Sequence, residues 1–157
     1  LDDGPRNGTP VRGLVEDGLP GANVVQLGIG AFTNSAAYAD WCVDQGIQRL
    51  TADEVRAVGG AAAMHDALER LDHCDVIAVD LDVDVLDVAH APACPGARPG
   101  GLAPHDLFAA ARAAGADPRV AGADLVEVDA TTDHDGRTVM ATAMTLLSFA
   151  IGVADRQ

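Results

Sequence analysis

The sequence predicts an α/β fold in which a parallel sheet is covered by helices on both faces. Segments rich in β-branched residues alternate with helical segments along the 157 residues, which is the pattern of parallel α/β proteins. Apolar residues make up 48% of the chain and aromatic residues only 3%, so we expect a core of Ala, Val, Leu and Ile. This length is sufficient for one domain with a hydrophobic core.

Two strands and two helices are expected in the first half of the chain. They are a strand over residues 23–30, a helix that Asn34 or Ser35 caps and that ends near Gln45, a strand over residues 47–50, and a helix over residues 53–71 with a break near Gly59 and Gly60. Thr51 and Glu54 have the spacing of a capping box, which predicts that the second helix begins there.

The second half is expected to repeat the alternation. Its elements are a strand over residues 75–82, a helix from Pro104 to about Ala114, a strand over residues 120–128, a turn over residues 131–136 and a helix over residues 137–153. Pro104 suits the first turn of a helix, because the N–H that proline lacks has no helical partner at that position.

The acidic segment over residues 79–87 is the most informative part of the chain. Asp80, Asp82 and Asp84 recur at a spacing of two, so in a strand they would share one face. An isolated Asp-x-Asp more often caps the next element or lies solvated. Because neighbouring carboxylates repel and burial disfavours their ionised forms, a divalent cation at the carboxyl end of the strand would stabilise them.

Composition excludes several classes of partner. The net charge is −14, which argues against nucleic acid and against an anionic membrane surface. The three cysteines form no Cys-x-x-Cys pair, which favours reduced thiols and a cytoplasmic location over a disulfide framework or a zinc site. Because the sequence starts with Leu1 inside a loop-like segment, we expect that the amino-terminal half of the domain is missing.

The loop after the acidic segment carries a family resemblance. Residues 91–102 contain Ala-Pro-x-Cys-Pro followed by Pro-Gly-Gly, directly after the Asp-x-Asp of the strand end. This combination resembles the arginase/ureohydrolase superfamily, and the form with cysteine is most similar to its formimidoylglutamases. The resemblance covers nearly the whole chain. It implies a three-layer α/β sandwich with a parallel sheet, here a single domain over residues 1–157 truncated at the amino end.

The resemblance also implies a site and a reaction. Asp82 would bridge two Mn²⁺ ions and Asp84 would chelate one of them, and the hydroxide between the ions would attack a linear amidine. Glu127, in an Asp-x-Val-Glu pattern, would hold the cationic end of the substrate. Asn7 stands where arginases carry a histidine, so it is the second expected substrate-binding residue. No catalytic residue beyond the metal-bound hydroxide is expected.

The resemblance implies hydrolysis of N-formimidoyl-L-glutamate to L-glutamate and formamide in histidine degradation. An agmatinase- or guanidinobutyrase-like enzyme and a non-catalytic interaction module are the alternatives. The upstream histidine and the Asp-x-His-x-Asp motif of the family are not in this sequence, so we expect the chain alone to be inactive. The five histidines are interpreted as surface or structural residues. The roles of Asp80, Arg98, His90 and His105, and a homo-oligomer, are left open.

Overall fold

The computed structural model describes Gly4, Arg6 and residues 8–156. Its helices are α1 (Pro10–Glu16), α2 (Ala36–Asp44), α3 (Ala52–Val58), α4 (Gly60–Arg70), α5 (Pro104–Ala116) and α6 (Arg137–Ala154). Its strands are β1 (Val25–Ile29), β2 (Gln48–Thr51), β3 (Ile77–Asp82) and β4 (Val120–Val126). Two short 3₁₀ helices, Gly21–Asn23 and Val83–Val85, precede β1 and follow β3.

The local signals of the sequence explain most of these bounds. Ser35 accepts a hydrogen bond from the Tyr38 N–H and begins α2. Thr51 and Glu54 form both bonds of the capping box that begins α3. Gly59 has φ +86° and separates α3 from α4, which confirms the expected break. The sequence analysis did not predict α1.

The strands pair in parallel, as predicted, but the described strands do not form one continuous sheet. β1 pairs with β2, and Gln26 lies opposite Arg49. β3 pairs with β4, and Asp80 lies opposite Asp124. These are two separate two-stranded sheets, so one edge of every described strand has no partner strand in the described part of the chain.

The β1–β2 pair lies between two helical layers. On one face, Leu27 and Leu50 pack against the cluster that includes Val55 of α3 and Ala63 of α4. Gln26 points to the opposite face, because neighbouring residues of a strand alternate. There it lines a small cavity together with residues of α1, α2 and β2: Val11, Arg12, Tyr38, Trp41 and Arg49.

Within the described residues, the β3–β4 pair has a helical layer on one face only. Ile77 and Val120 pack against Leu68 and Leu71 of α4, and Phe149 of α6 contacts the same cluster. On the other face, four residues of the two strands are exposed: Ala78, Asp80, Gly122 and Asp124. We call this the bare face of the β3–β4 pair.

The helix α6 has the length and mean hydropathy of a membrane-crossing helix, although core helices of soluble proteins pass the same test. It packs closely on α5, since a Cβ at Gly152 would clash with the Arg112 carbonyl oxygen. A Cβ at Gly115 would likewise clash with the Phe149 carbonyl oxygen. The two glycines therefore allow the two helix backbones to approach each other.

Candidate metal and substrate site

The expected site residues of the second half meet at one edge of the β3–β4 pair. Asp82 is the last residue of β3 and lies opposite Val126, the last residue of β4. Glu127 follows Val126 directly. Because the strands are parallel, both carboxylates lie at the carboxyl ends of their strands, where open α/β sheets bind ligands.

The strand β3 ends at Asp82, as predicted, and this end removes Asp84 from the strand face that a spacing of two would give it. The spacing of two placed Asp84 on the same strand face as Asp80 and Asp82, but β3 ends at Asp82. The Asp82 side chain accepts a hydrogen bond of 2.9 Å from the Asp84 N–H and so begins the 3₁₀ turn Val83–Val85. The Asp84 carboxylate therefore reaches the site from this turn.

The acidic residues at this edge disfavour one another's charge. Burial, together with the charges of Asp84, Asp80 and Glu127, raises the pKa of Asp82 to about 7, although the hydrogen bond from the Asp84 N–H opposes the shift. Burial, then the charge of Asp124, raises the pKa of Asp80. No ion pair found in the described part of the chain involves any of these carboxylates.

The Pro- and Gly-rich loop over residues 91–102 packs against the turn Val83–Val85, which contains Asp84. Gly96 lies so close to Asp84 that a Cβ would clash with carboxylate Oδ2 of that residue. Cys94 is buried nearby, and burial together with the charge of Asp84 raises the pKa of its thiol to about 11. The sequence analysis read these positions only as loop. The Cys-Pro-Gly sequence after the acidic strand was the signal that could have identified them.

Asp87 has a structural role at the end of the acidic segment. Its side chain accepts hydrogen bonds from the Ala89 N–H at 2.8 Å and the Gly100 N–H at 2.7 Å, which lower its pKa. Arg98 donates to the carbonyl oxygens of Pro95 and Ala97, both at 2.9 Å. The Gly100 bond to Asp87 connects the loop to the segment after β3, and the two Arg98 bonds lie within the loop.

Two non-glycine residues in the described part of the chain have left-handed backbone, and each follows a strand. Glu127 has φ +64° directly after β4, and the exposed Phe32 has φ +62° shortly after β1. Such a conformation costs on the order of 1 kcal/mol or more and is common at functional sites. The strand β1 also approaches the turn after β3, because a Cβ at Gly28 would clash with the Val85 side chain.

The remaining candidates lie elsewhere. His65, His73, His90, His105 and His134 are all exposed, as expected for surface residues. His105 lies 3.4 Å from the Asp106 carboxylate, and His73 is within hydrogen-bond distance of Asn23. Asn7, the second expected substrate-binding residue, lies outside the described residues.

The chemistry of the acidic edge fits part of a metal site. A partly buried carboxylate whose pKa is raised by burial and like charges is stabilised in its ionised form by a divalent cation. Among residues 8–156 and the two described residues before them, no three His, Cys, Asp or Glu side chains converge to hold a metal ion. Asp82 and Asp84 therefore fit a site that needs further ligands.

Comparisons with known proteins agree with this geometry. The chain is 41% identical to a formimidoylglutamase of Halalkalibacterium halodurans over 153 residues, which cover 96% of the chain and 48% of that protein. The crystal structure of the Bacillus subtilis formimidoylglutamase matches with a TM-score of 0.93 and 38% identity, over 99% of the chain and 49% of that structure.

A third match is to a structure determined with a metal ion. A Trypanosoma cruzi formiminoglutamase determined with Mn²⁺ matches with a TM-score of 0.89 and 25% identity, over 96% of the chain and 50% of that structure. The chain spans about half the length of these relatives and matches their carboxyl-terminal portion. The arginase-like three-layer fold expected from the sequence is confirmed by these structures. Residues 1–152 match the model of the arginase family, and the chain belongs to that family.

Proposed function

We propose that this chain is part of a Mn²⁺-dependent formimidoylglutamase, which hydrolyses N-formimidoyl-L-glutamate in histidine degradation in the cytoplasm. The observation that carries the proposal is the convergence of Asp82, Asp84 and Glu127 at one edge of a parallel strand pair. The arginase family and the names of the most similar relatives support the same reaction.

In the proposed reaction, water adds to the formimino carbon and the bond between that carbon and the glutamate nitrogen breaks. The nitrogen takes up a proton, so the products are L-glutamate and formamide. When bound, Mn²⁺ would act as a Lewis acid that activates the water. Asp82 and Asp84 would hold the metal ions, because carboxylate oxygens suit this relatively hard cation.

Glu127 would orient the substrate. Its left-handed backbone turns the chain just after β4, beside Asp82. A carboxylate at this point can accept charge-assisted hydrogen bonds from both N–H groups of a formimino cation. Asn7 would contact the substrate as well. Since asparagine does not titrate, Asn7 would position the substrate and would not carry a proton.

The chain by itself should not hydrolyse the substrate. Hard divalent cations take about six ligands, and the described residues offer two carboxylates for them. The test therefore uses a chimera in which this chain replaces the matching part of the B. subtilis enzyme. We expect the chimera to bind Mn²⁺ and to release formamide from N-formimidoyl-L-glutamate, whereas the chain alone should show neither turnover nor tight Mn²⁺ binding.

Variants of the chimera separate the proposed roles. Asp82→Asn should lose Mn²⁺ by elemental analysis and lower turnover by about a thousandfold or more, because a shared charge at the metal ions is removed. Glu127→Gln should keep Mn²⁺ and raise KM. The matched control is Asp75→Asn, an exposed residue just before β3, at the opposite end of the strand, and it should leave both readouts unchanged.

Two results would contradict the proposal. If Asp82→Asn kept its Mn²⁺ and full activity, the assignment of the metal site would be wrong. If the chimera turned over agmatine or 4-guanidinobutyrate better than N-formimidoyl-L-glutamate, the chain would belong to a guanidine hydrolase within the same family.

A further inference from the structure

A small cavity lies between the β1–β2 pair and the helices α1 and α2. Its volume is about 70 Å³. A cavity needs about 10–15 Å³ to hold one water molecule, so this one has room for several waters or for one small ion. We call it the α1–α2 cavity. None of the carboxylates of the candidate metal site lines it, so it is a separate feature of the molecule.

The charge that lines the α1–α2 cavity is opposite in sign to the net charge of the chain. Arg12 of α1 and Arg49 of β2 line the cavity, and no aspartate or glutamate is among its described lining residues. The chain has 24 acidic residues and only 10 basic ones. A cavity with two guanidinium groups and no described lining carboxylate is therefore unexpected in this composition, and it has the charge that an anion requires.

Arg49 differs from the other arginines in its contacts. Arg12 donates to the Glu16 carboxylate at 2.7 Å, and Arg70 donates to the Gln48 side chain at 2.6 Å. In the described part of the chain Arg49 has no hydrogen bond or ion pair, whereas each other arginine has one or makes another electrostatic or ring contact. Because Arg49 is partly buried, an acceptor placed in the cavity would stabilise its guanidinium group.

Two neutral donors line the cavity with Arg49. Gln26 lies directly opposite Arg49 in the parallel pair, so the two side chains share one face. The Gln26 carbonyl oxygen receives a weak contact of 4.0 Å from Cys42 Sγ, and its amide N–H groups have no partner among the described residues. The indole N–H of Trp41 also has no hydrogen bond in the described part of the chain. The cavity thus combines one unpaired cation with two further N–H donors.

We propose that the α1–α2 cavity binds a small oxyanion, a phosphate or a carboxylate group, through the guanidinium of Arg49. A guanidinium presents a planar fork of N–H donors that fits two oxygens of such a group. Gln26 and Trp41 would donate to the remaining oxygens. Since these residues belong to β1, α2 and β2, the bound anion would connect α2 to the strand pair.

Other occupants fit the cavity less well. A metal cation would be repelled by the two guanidinium groups, and the carboxylates that hard cations prefer are not among the described lining residues. Water alone would leave the charge of Arg49 without a counter-charge. An oxyanion supplies both the charge and the acceptor atoms.

The cavity contains its own spectroscopic probe, because Trp41 is the only tryptophan of the chain. The experiment titrates the chain with sodium phosphate or with sodium acetate, at an ionic strength held constant with sodium chloride. We expect a saturable change in Trp41 fluorescence with a Kd on the order of 1 mM, typical of a small ligand with few contacts. We also expect slower hydrogen exchange in α2 and β2 at saturation, since the anion connects them.

Substitution of Arg49 tests the proposed anchor. Arg49→Gln should raise the Kd by about tenfold or more, because a charge-assisted bond is lost. Arg49→Lys should give an intermediate Kd, since lysine keeps the charge but lacks the planar fork. The control is Arg112→Gln on α5, where the arginine pairs with Asp155 away from the cavity. This variant should bind like the parent chain.

A second variant keeps the test valid if Arg49→Gln does not fold, which circular dichroism will show. Gln26→Leu has a similar volume and removes one donor, so it should weaken binding by about threefold or more. Tighter binding of phosphate or of acetate would identify the tetrahedral or the planar group as the better ligand, and either result supports the site.

Three outcomes would overturn the proposal. The first is the absence of a saturable change up to about 50 mM phosphate and acetate, which is well above the expected Kd. The second is an equal Kd in the parent chain and in the Arg49→Gln or Gln26→Leu variant. The third is the same fluorescence change with sodium chloride alone. The readout is anion binding, so a failure of the proposed enzymatic function would not affect the result.

Discussion

The β1–β2 and β3–β4 pairs have the same strand arrangement but differ in the layers that cover their faces. Both are two-stranded and parallel, and both pack one face against α4. The β1–β2 pair has helices on both faces, and its helices α2 and α3 begin at well-formed caps. The β3–β4 pair leaves one face bare, yet it holds all the described carboxylates of the candidate site.

This difference separates packing from charge within the described part of the chain. The β1–β2 pair, hereafter the covered pair, has helical residues packed on both faces. The β3–β4 pair, hereafter the open pair, carries carboxylates that raise the pKa of Asp82 and a face that no described residue covers. The predictions below test whether substitutions follow this division.

The largest expected difference in stability between the two strand pairs comes from two glycine substitutions. Gly21 is buried before β1, and a Cβ there would clash with the Gln45 carbonyl oxygen. Gly21→Ala should lower the free energy of unfolding by about 2 to 3 kcal/mol, because the backbone at residue 21 or at residue 45 must shift to make room for the added Cβ. Gly122 on the open pair has no atom within 4 Å of such a Cβ, so Gly122→Ala should be neutral or stabilising by about 0.5 kcal/mol.

Urea unfolding of both variants measures this contrast. Equal destabilisation by Gly21→Ala and Gly122→Ala would mean that the bare face is already packed in this chain, and the distinction between the two strand pairs would be lost.

The second prediction concerns how the charge of Asp82 affects the free energy of unfolding at different pH values. Because the pKa of Asp82 is raised to about 7, the native chain binds a proton there that the unfolded chain has lost, and stability falls as pH rises from about 4 to about 7. Asp82→Asn removes this penalty. In metal-free buffer the variant should be more stable than the parent chain by about 2 kcal/mol at pH 8, and by less at pH 5.

Asp87→Asn is the matched control with the opposite sign. Hydrogen bonds from the Ala89 and Gly100 N–H groups lower the pKa of Asp87, so its contribution to stability is present at neutral pH and is lost as pH falls through its lowered pKa. The variant should be less stable than the parent chain at pH 8. If Asp82→Asn were also destabilising at pH 8 without metal, the acidic edge would have a counter-charge that the geometry does not show.

The sequence predicted the local elements well and the non-local ones incompletely. Ser35, Thr51 and Pro104 mark helix starts through groups within a few residues, so short patterns identify them. The end of β3 at Asp82 was predicted, but the position of Asp84 in a 3₁₀ turn depends on the hydrogen bond that the Asp82 side chain accepts from the Asp84 N–H, which leaves no signal in the alternation. The separation into two strand pairs depends on contacts between distant segments, which periodicity does not encode.

The candidate site shows the same limit. Asp82, Asp84 and Glu127 could be found because the family resemblance marks strand ends, and parallel pairing brings such ends together. The contact of Gly96 with Asp84 could not be found, since it depends on how the loop folds back beneath the turn. The left-handed conformation of Glu127 was equally hidden, because a glutamate rarely adopts it.

The third prediction compares the amino-terminal cap of α3, beside the covered pair, with that of α6. Thr51→Ala removes the capping box of α3 beside the covered pair and should destabilise the chain by about 1 kcal/mol. Asp133 accepts hydrogen bonds from the Thr138 and Val139 N–H groups and so caps α6 from the preceding turn. Asp133→Ala should also cost about 1 kcal/mol. Thermal unfolding checks both, and a loss below about 0.3 kcal/mol for Asp133→Ala would show that α6 is not anchored at this end.

The smallest expected effect on stability tests the exposed apolar side of α6 most directly. Met140 is 66% exposed on the outward side of α6, so Met140→Lys should change the free energy of unfolding by less than about 0.5 kcal/mol. The same substitution should raise the concentration at which the chain aggregates, because it interrupts an exposed apolar surface. Ala141→Lys, one residue further on the inward side and only 7% exposed, should unfold the chain. Chemical unfolding and light scattering over a concentration series distinguish the two. A loss of more than about 1 kcal/mol in Met140→Lys would show that the outward side of α6 is already packed in this chain, and the open pair would then be as complete as the covered one.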